Sequence, residues 1–150
     1  MAEPLGPPQP PEIRRFYPHL LPEDTAVWTR WLEHNAHRIT GVWYDVHVGT
    51  PVQVDDRAPD WLRRVAAGVT RKRIDVVAKA PPETWVIEIK PYGSYTALGQ
   101  ALVYSRLFRV EHQPYLPVVP LVICAEIDPD IVDDFVAYGA RFEEVGYAAS

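Results

Sequence analysis

Apolar and polar positions change period several times along the chain, and each change marks an element. In "DTAVWTRWLEHNAHRI", Trp28, Trp31, Leu32, Asn35 and Ile39 follow helical spacing, with Asp24 suited to the N-cap and Gly41 to the stop. "VWYDVHVG" alternates as a strand does. "APDWLRRVAAG" predicts a short helix that starts near Pro59 or Asp60 and ends at Gly68. "RIDVVAKAPPETWVIEIK" predicts two strands around a Pro81-Pro82 turn. After the turn "PYG", "SYTALGQALVYSRLFRV" predicts a helix of about four turns. "PVVPLVICAE" is a continuous apolar run, the mark of a strand covered on both faces. "DPDIVDDFVAYG" predicts a helix with an acidic first turn that suits its dipole, and "ARFEEVGY" a last, edge-like strand. The order α-β-(α)-β-β-α-β-α-β predicts an α/β protein, a mixed central sheet flanked by helices. Trp28, Trp31, Trp43, Trp61 and Trp85 are expected in its core.

Residues 1–22 do not fit this alternation. They hold seven of the 16 prolines: Pro4, Pro7, Pro8, Pro10, Pro11, Pro18 and Pro22. That density forbids helix and resists ladders, so an extended, PPII-like arm is expected, with one domain over 23–150. The arm could be disordered, or could lie along a protein partner or a second copy of the chain. A length of 150 residues suits one core. No run approaches a membrane span, and no secretion signal opens the chain, so no membrane partner is expected. The lone Cys124 sits in an apolar strand, which fits a buried thiol and a reducing, cytoplasmic setting. A net charge of −5 mildly opposes nucleic acid, so any such binding must come from a local patch.

Asp75, Glu88 and Lys90 interrupt otherwise apolar strands. A hairpin centred between Pro81 and Pro82 places Asp75 opposite Glu88 and Arg73 opposite Lys90. Trp85, Ile87 and Ile89 then face one side with Ile74 and Val76. Glu88 and Lys90 face the other with Asp75. Directly opposed like charges destabilise a sheet, their Cβ atoms lying about 4.5–5.5 Å apart. A hard divalent cation resolves the conflict, since two carboxylates, a backbone carbonyl and waters make a good Mg²⁺ shell. Lys90 would add an ammonium beside it. A solvated Glu-x-Lys pair on an exposed face is the plainer alternative. On the next helix Gln100 and Tyr104 are four residues apart and share a face, which a crossover connection would lay over the carboxylates; taken alone, the pair reads more plainly as an amphipathic core edge at Tyr104 and a solvated Gln100.

Together these residues resemble the PD-(D/E)XK nuclease superfamily. Asp75 matches its first acid, "EIK" (Glu88, Ile89, Lys90) its Glu-x-Lys, and "QALVY" the Gln-x-x-x-Tyr signature of the RecB-like exonuclease branch. The order of elements from about 24 to 124 matches the αβββαβ restriction-endonuclease-like core of the family. The acid follows Ile74 ("RID") where the name motif has Pro. The resemblance implies that Asp75, Glu88 and the Ile89 carbonyl bind Mg²⁺ or Mn²⁺. It implies that Lys90 activates water and stabilises the phosphorane charge, and that Gln100 and Tyr104 brace the site or position DNA. Glu33 is the candidate for the acid many members carry on the first helix. The implied activity is metal-dependent hydrolysis of DNA, as endonuclease or exonuclease. The alternative is a structural or assembly protein on the same fold, for example a phage particle component and so virion-associated.

Arg63, Arg64, Arg71, Lys72 and Arg73 precede Asp75 closely. They form either a solvated face or a DNA-binding rim that leads to the site. His34 and His37 lack a third metal ligand, and Ser94 and Ser105 lack a base, so neither pair supports chemistry of its own.

Overall fold

The computed structural model describes residues 4–51 and 53–147. The arm is therefore described from Pro4 and the domain as far as Tyr147. Five strands form one sheet in the order β1-β2-β3-β4-β5. They are β1 (Gly41–Val48), β2 (Lys72–Ala80), β3 (Glu83–Gly93), β4 (Val118–Ile127) and β5 (Arg141–Glu144). The helices are α1 (Pro22–Asn35), α2 (Asp60–Thr70), α3 (Tyr95–His112) and the short α4 (Val132–Ala137). β1, β2 and β3 pair antiparallel, while β3, β4 and β5 pair parallel. The expected element order and mixed sheet are both present.

The β2–β3 hairpin has the expected register from Ala80–Glu83 to Val76–Ile87, but the ladder stops there, so the expected Asp75–Glu88 and Arg73–Lys90 pairs do not form. Its first strand departs from the expected faces. Val76 and Ala78 pack with Ile87 and Ile89 against α1, but Ile74 joins Val46, Val48, Val77, Val86 and Phe108 on the side of α3. β1 changes face at the same level: Val42 lies on the α1 side, Val46 and Val48 on the other. Between them Asp45 takes a left-handed φ of 54°, a conformation Asp adopts more readily than most residues. The two strands thus turn over together, between Tyr44–Val76 and Val46–Ile74.

On the α1 face, Trp28 stacks on Trp31 at 5.2 Å, and Trp31 meets Trp85 edge-on at 6.2 Å. Both α1 indoles are hydrogen-bonded, Trp28 to Tyr44 Oη at 3.0 Å and Trp31 to Glu143 Oε1 at 2.8 Å, so these large rings are buried without orphaned N–H groups. α3 packs across the opposite face through Ala97, Leu98, Ala101 and Phe108. Trp61 does not join the core. It is exposed on α2, as are Leu62 and Val65. α2 also runs past Gly68 to Thr70. Among the described residues, no helix is long and apolar enough to cross a membrane.

The arm lies on its own domain. Gln9 and Val42 exchange two backbone hydrogen bonds of 2.8 Å, covering part of the open edge of β1. Gly41 makes this approach possible, because a Cβ there would stand 2.9 Å from Pro8 Cβ. Trp43 donates to Gly6 O at 3.0 Å. Tyr17, 4% exposed, packs with Trp28 and Val42 in the α1 cluster. Its hydroxyl meets Thr29 Oγ1 and accepts from Arg14 N, both at 3.0 Å.

If Tyr17 makes the arm part of the core, Tyr17→Phe should cost about 1–2 kcal/mol through its lost hydrogen bonds. Tyr17→Ala should cost about 3–5 kcal/mol. Urea denaturation measures both, and limited proteolysis should cut the arm faster in the Ala variant. An unchanged midpoint for Tyr17→Ala would show the arm to be an appendage.

Candidate functional site

The β2–β3 ladder ends at Val76–Ile87, and Asp75 is the first residue beyond it. Its carboxylate takes the place of the missing backbone partner, Oδ2 accepting from Ile89 N at 2.8 Å. In a strand the N–H and C=O of one residue point to the same edge, so the Ile89 carbonyl also faces this gap. Glu88 is 2% exposed, and its Oε1 is buried with no hydrogen-bond partner. Its carboxyl lies within hydrogen-bonding reach of Asp75. Burial, and then the Asp75 charge, push the Glu88 pKa well above the usual range, while Lys90 acts against them. Burial likewise raises Asp75, opposed by the Ile89 N–H and by Lys90. Lys90 is half-buried two residues beyond Glu88, and its charge acts on both acids.

Gln100 and Tyr104 both lie on α3, which packs across this face of the sheet. Burial raises the Tyr104 pKa first, and the charges of Glu88 and Asp75 add to it. Gln100 reaches the Tyr104 hydroxyl, and its own Oε1 is buried without a partner.

Glu33 does not join the site. It is exposed on α1. The first-helix acid beside Asp75 and Lys90 is Asp24, 7% exposed, with its pKa raised to about 6 by burial and then by Asp75. Asp24 is not the N-cap either: α1 begins at Pro22 after Leu21, so Asp24 lies inside the first turn. Capping and site chemistry favour the same residue type at a helix start, so the sequence offered no means of separating them. Asp45 is the second residue that sequence reasoning missed. It sits beside Asp75 and adds to the rise of its pKa. Its signal was available, a carboxylate inside the apolar strand "VWYDVHV".

The basic run divides. Arg71 is committed to structure: its guanidinium donates to Gly49 O at 2.8 Å and to Glu111 Oε2 at 2.7 Å, clasping the end of β1 to α3. Arg73 lies against His19 and Asp45. Arg63 pairs with Asp60 on α2. Arg64 and Lys72 are exposed. Acids of the fold thus engage three of the five, Asp60 at Arg63, Glu111 at Arg71 and Asp45 at Arg73.

The donors gathered at the ladder's end are hard oxygens: two carboxyls, one with an orphaned buried atom, and a main-chain carbonyl facing them. That set fits Mg²⁺ or Mn²⁺ better than a softer ion. Among the described residues, no three His, Cys, Asp or Glu side chains form a metal-holding group on their own. Carbonyl and water oxygens would have to complete the shell, as Mg²⁺ commonly requires.

No protein-family model and no curated protein sequence matches the chain. Its fold is similar to that of a solved complex of EndoMS with double-stranded DNA, with a TM-score of 0.52 and 13% identity over 91% of this chain. The chain spans 50% of the length of that protein. At this identity the likeness establishes the fold: an α/β, restriction-endonuclease-like mixed sheet with flanking helices.

The raised acids set a pH dependence. A carboxyl with a higher pKa folded than unfolded binds more protons in the native state, so stability falls as pH rises through the window between the two values. For Asp24 that window runs from 3.8 to about 6. Its share is about 2–3 kcal/mol, at 1.36 kcal/mol per unit. In EDTA, Asp24→Asn should raise stability near neutral pH and flatten the decline between about pH 4 and 7. Urea denaturation across that range checks this. Loss of stability in Asp24→Asn near neutral pH would mean that the Lys90 charge holds Asp24 more strongly than burial disfavours it.

Proposed function

We propose that the chain is a metal-dependent DNA nuclease of PD-(D/E)XK type, with the RecB-like Gln-x-x-x-Tyr variant of its site. The carrying observation is Glu88, buried beside Asp75 with one oxygen unpartnered, where the sheet opens next to Lys90. A core built for stability alone would fill that position with an apolar side chain. The fold shared with a DNA-bound protein supports the same reading.

Asp75, Glu88 and the Ile89 carbonyl would hold Mg²⁺ or Mn²⁺. When bound, the metal neutralises charge on the scissile phosphate and acidifies water. The chain's own residues supply the rest. Lys90 orients the attacking water and donates to the phosphoryl oxygens as charge builds on them, an interaction strongest in the transition state. The Ile89 N–H fixes the Asp75 carboxylate through Oδ2, with the Glu88 carboxyl in hydrogen-bonding reach beside it. Tyr104, braced by Gln100, holds the substrate over the acids. Asp24 adds a third carboxyl at the rim that accepts from water or from Lys90.

The alternative, an assembly protein on the same fold, is favoured by the proline-rich arm and the net acidity; the arm pairs with the chain's own β1 edge at Gln9–Val42.

Supercoiled plasmid should be cleaved with Mg²⁺ or Mn²⁺ and left intact with EDTA. Lys90→Ala should lose most of the rate while remaining folded and metal-responsive. Millimolar Mg²⁺ should raise the melting temperature of the parent, by about 2.7 kcal/mol of stability at a hundred times its dissociation constant. Asp75→Asn should erase most of that gain together with cleavage. A parent indifferent to divalent ions in both melting and cleavage would overturn the nuclease reading.

A further inference from the structure

The segment between Glu12 and Pro22 exposes Ile13, Phe16 and Leu21 at 56%, 75% and 58%. Nothing in the fold requires these apolar side chains in water, and grouped exposed apolar surface marks interaction sites. Arg14 and Arg15 accompany them in a chain whose net charge is −5. The Arg15 guanidinium lies 5.5 Å from the Phe16 ring centre.

The segment is fixed, and it is fixed at the site. Buried Tyr17 anchors its middle through Thr29 and the Arg14 N–H. The Arg14 guanidinium stands 5.9 Å from the ring of Tyr44, the neighbour of Asp45 on β1. Two residues after Tyr17, His19 takes a φ of 61° and reaches Asp45 Oδ2 at 3.1 Å, with Arg73 against its ring. On β1, Asp45 lies between the Tyr44–Val76 and Val46–Ile74 pairs, across the ribbon from Asp75, and the chain then enters α1, whose first turn holds the buried Asp24. Residues 14–24 thus run along one side of the acid pair.

We infer that this lip binds a single-stranded segment of DNA next to the scissile bond, with a base stacked on Phe16 and phosphates on Arg14 and Arg15. The inference rests on the nuclease reading and names its substrate class: DNA with an unpaired end, flap or gap. A rigidly held, exposed aromatic ring flanked by cations is how proteins grip single strands without reading sequence. A fully paired duplex hides its base faces and could use only the arginines.

The test measures binding of labelled oligo(dT) and of a blunt duplex, with Ca²⁺ replacing Mg²⁺ so that the DNA survives. The parent should prefer the single strand. Phe16→Ala should weaken oligo(dT) binding about 5- to 150-fold and affect the duplex much less. Phe16→Trp should restore binding. Changing Arg14 and Arg15 together to Ala should reduce the log–log salt slope by up to about 1.4. Val136→Ala, an exposed apolar truncation on α4, should change neither, and thermal melts should show all variants folded. Equal loss on both DNAs in Phe16→Ala would overturn base stacking. So would a shift in oligomeric state, which would assign the patch to a second copy of the chain. If the parent cleaves DNA with Mg²⁺ while the Phe16 and arginine variants bind like the parent, this inference falls and the nuclease reading stands. If the parent neither binds nor cleaves any DNA, both fall.

Discussion

The structure turns on the burial of Glu88 beside Asp75. Two unit charges 4 Å apart repel by about 4 kcal/mol at an effective dielectric of 20, before either loses any hydration. The fold meets this conflict in three ways. Lys90 offsets part of the repulsion, the Ile89 N–H satisfies one Asp75 oxygen, and both carboxyls are pushed toward protonation. Each of these is partial, since Glu88 keeps a buried oxygen with no partner. Metal-free, the site therefore weakens the native state. Such a site persists only because the surrounding hydrophobic framework is over-determined: Trp28, Trp31 and Trp85 on one face, α3 with Phe108 on the other.

The change from antiparallel to parallel pairing creates the space. β2 and β3 must pair antiparallel because a tight turn joins them, and β3 and β4 must pair parallel because α3 crosses between them. β3 therefore keeps a partner along its β4 side while β2 departs on the other. The departure coincides with the turnover of the β1–β2 ribbon at Asp45. A strand still paired through Asp75 would have bonded its own backbone to Ile89. Only a strand that leaves early gives that N–H to a carboxylate and turns the Ile89 carbonyl toward the acids.

Much of this was legible in the sequence. The Pro81-Pro82 turn fixed the hairpin register, and strict alternation along "WVIEIK" assigned Glu88 and Lys90 to the face opposite Trp85 and Ile87. What failed has physical reasons. Alternation describes a strand without a change of face, so the position of Ile74 could not be read from it. Arg71 looks like a free cation until Glu111, forty residues away, is brought beside it by α3. The same non-locality hid Asp24, whose relation to Asp75 exists only once α1 lies across the sheet. Trp61 follows an amphipathic pattern, but a pattern identifies an apolar face without supplying the surface that covers it.

The arm shows why composition alone misleads about such segments. Its prolines exclude helix, and that exclusion reads equally well as disorder or as a docking strand. Here the same stiffness serves the domain. An extended chain with few free donors can lie along the β1 edge, make the Gln9–Val42 bridge and leave little of its own edge for another strand to pair with. Its course then sets the entry angle of α1, because Tyr17 is buried under Thr29 and Pro22 opens the helix. The position of Asp24 beside Asp75 is thus determined partly by side chains five or more residues upstream. Edge protection and site geometry are two consequences of one stiff segment held at both ends.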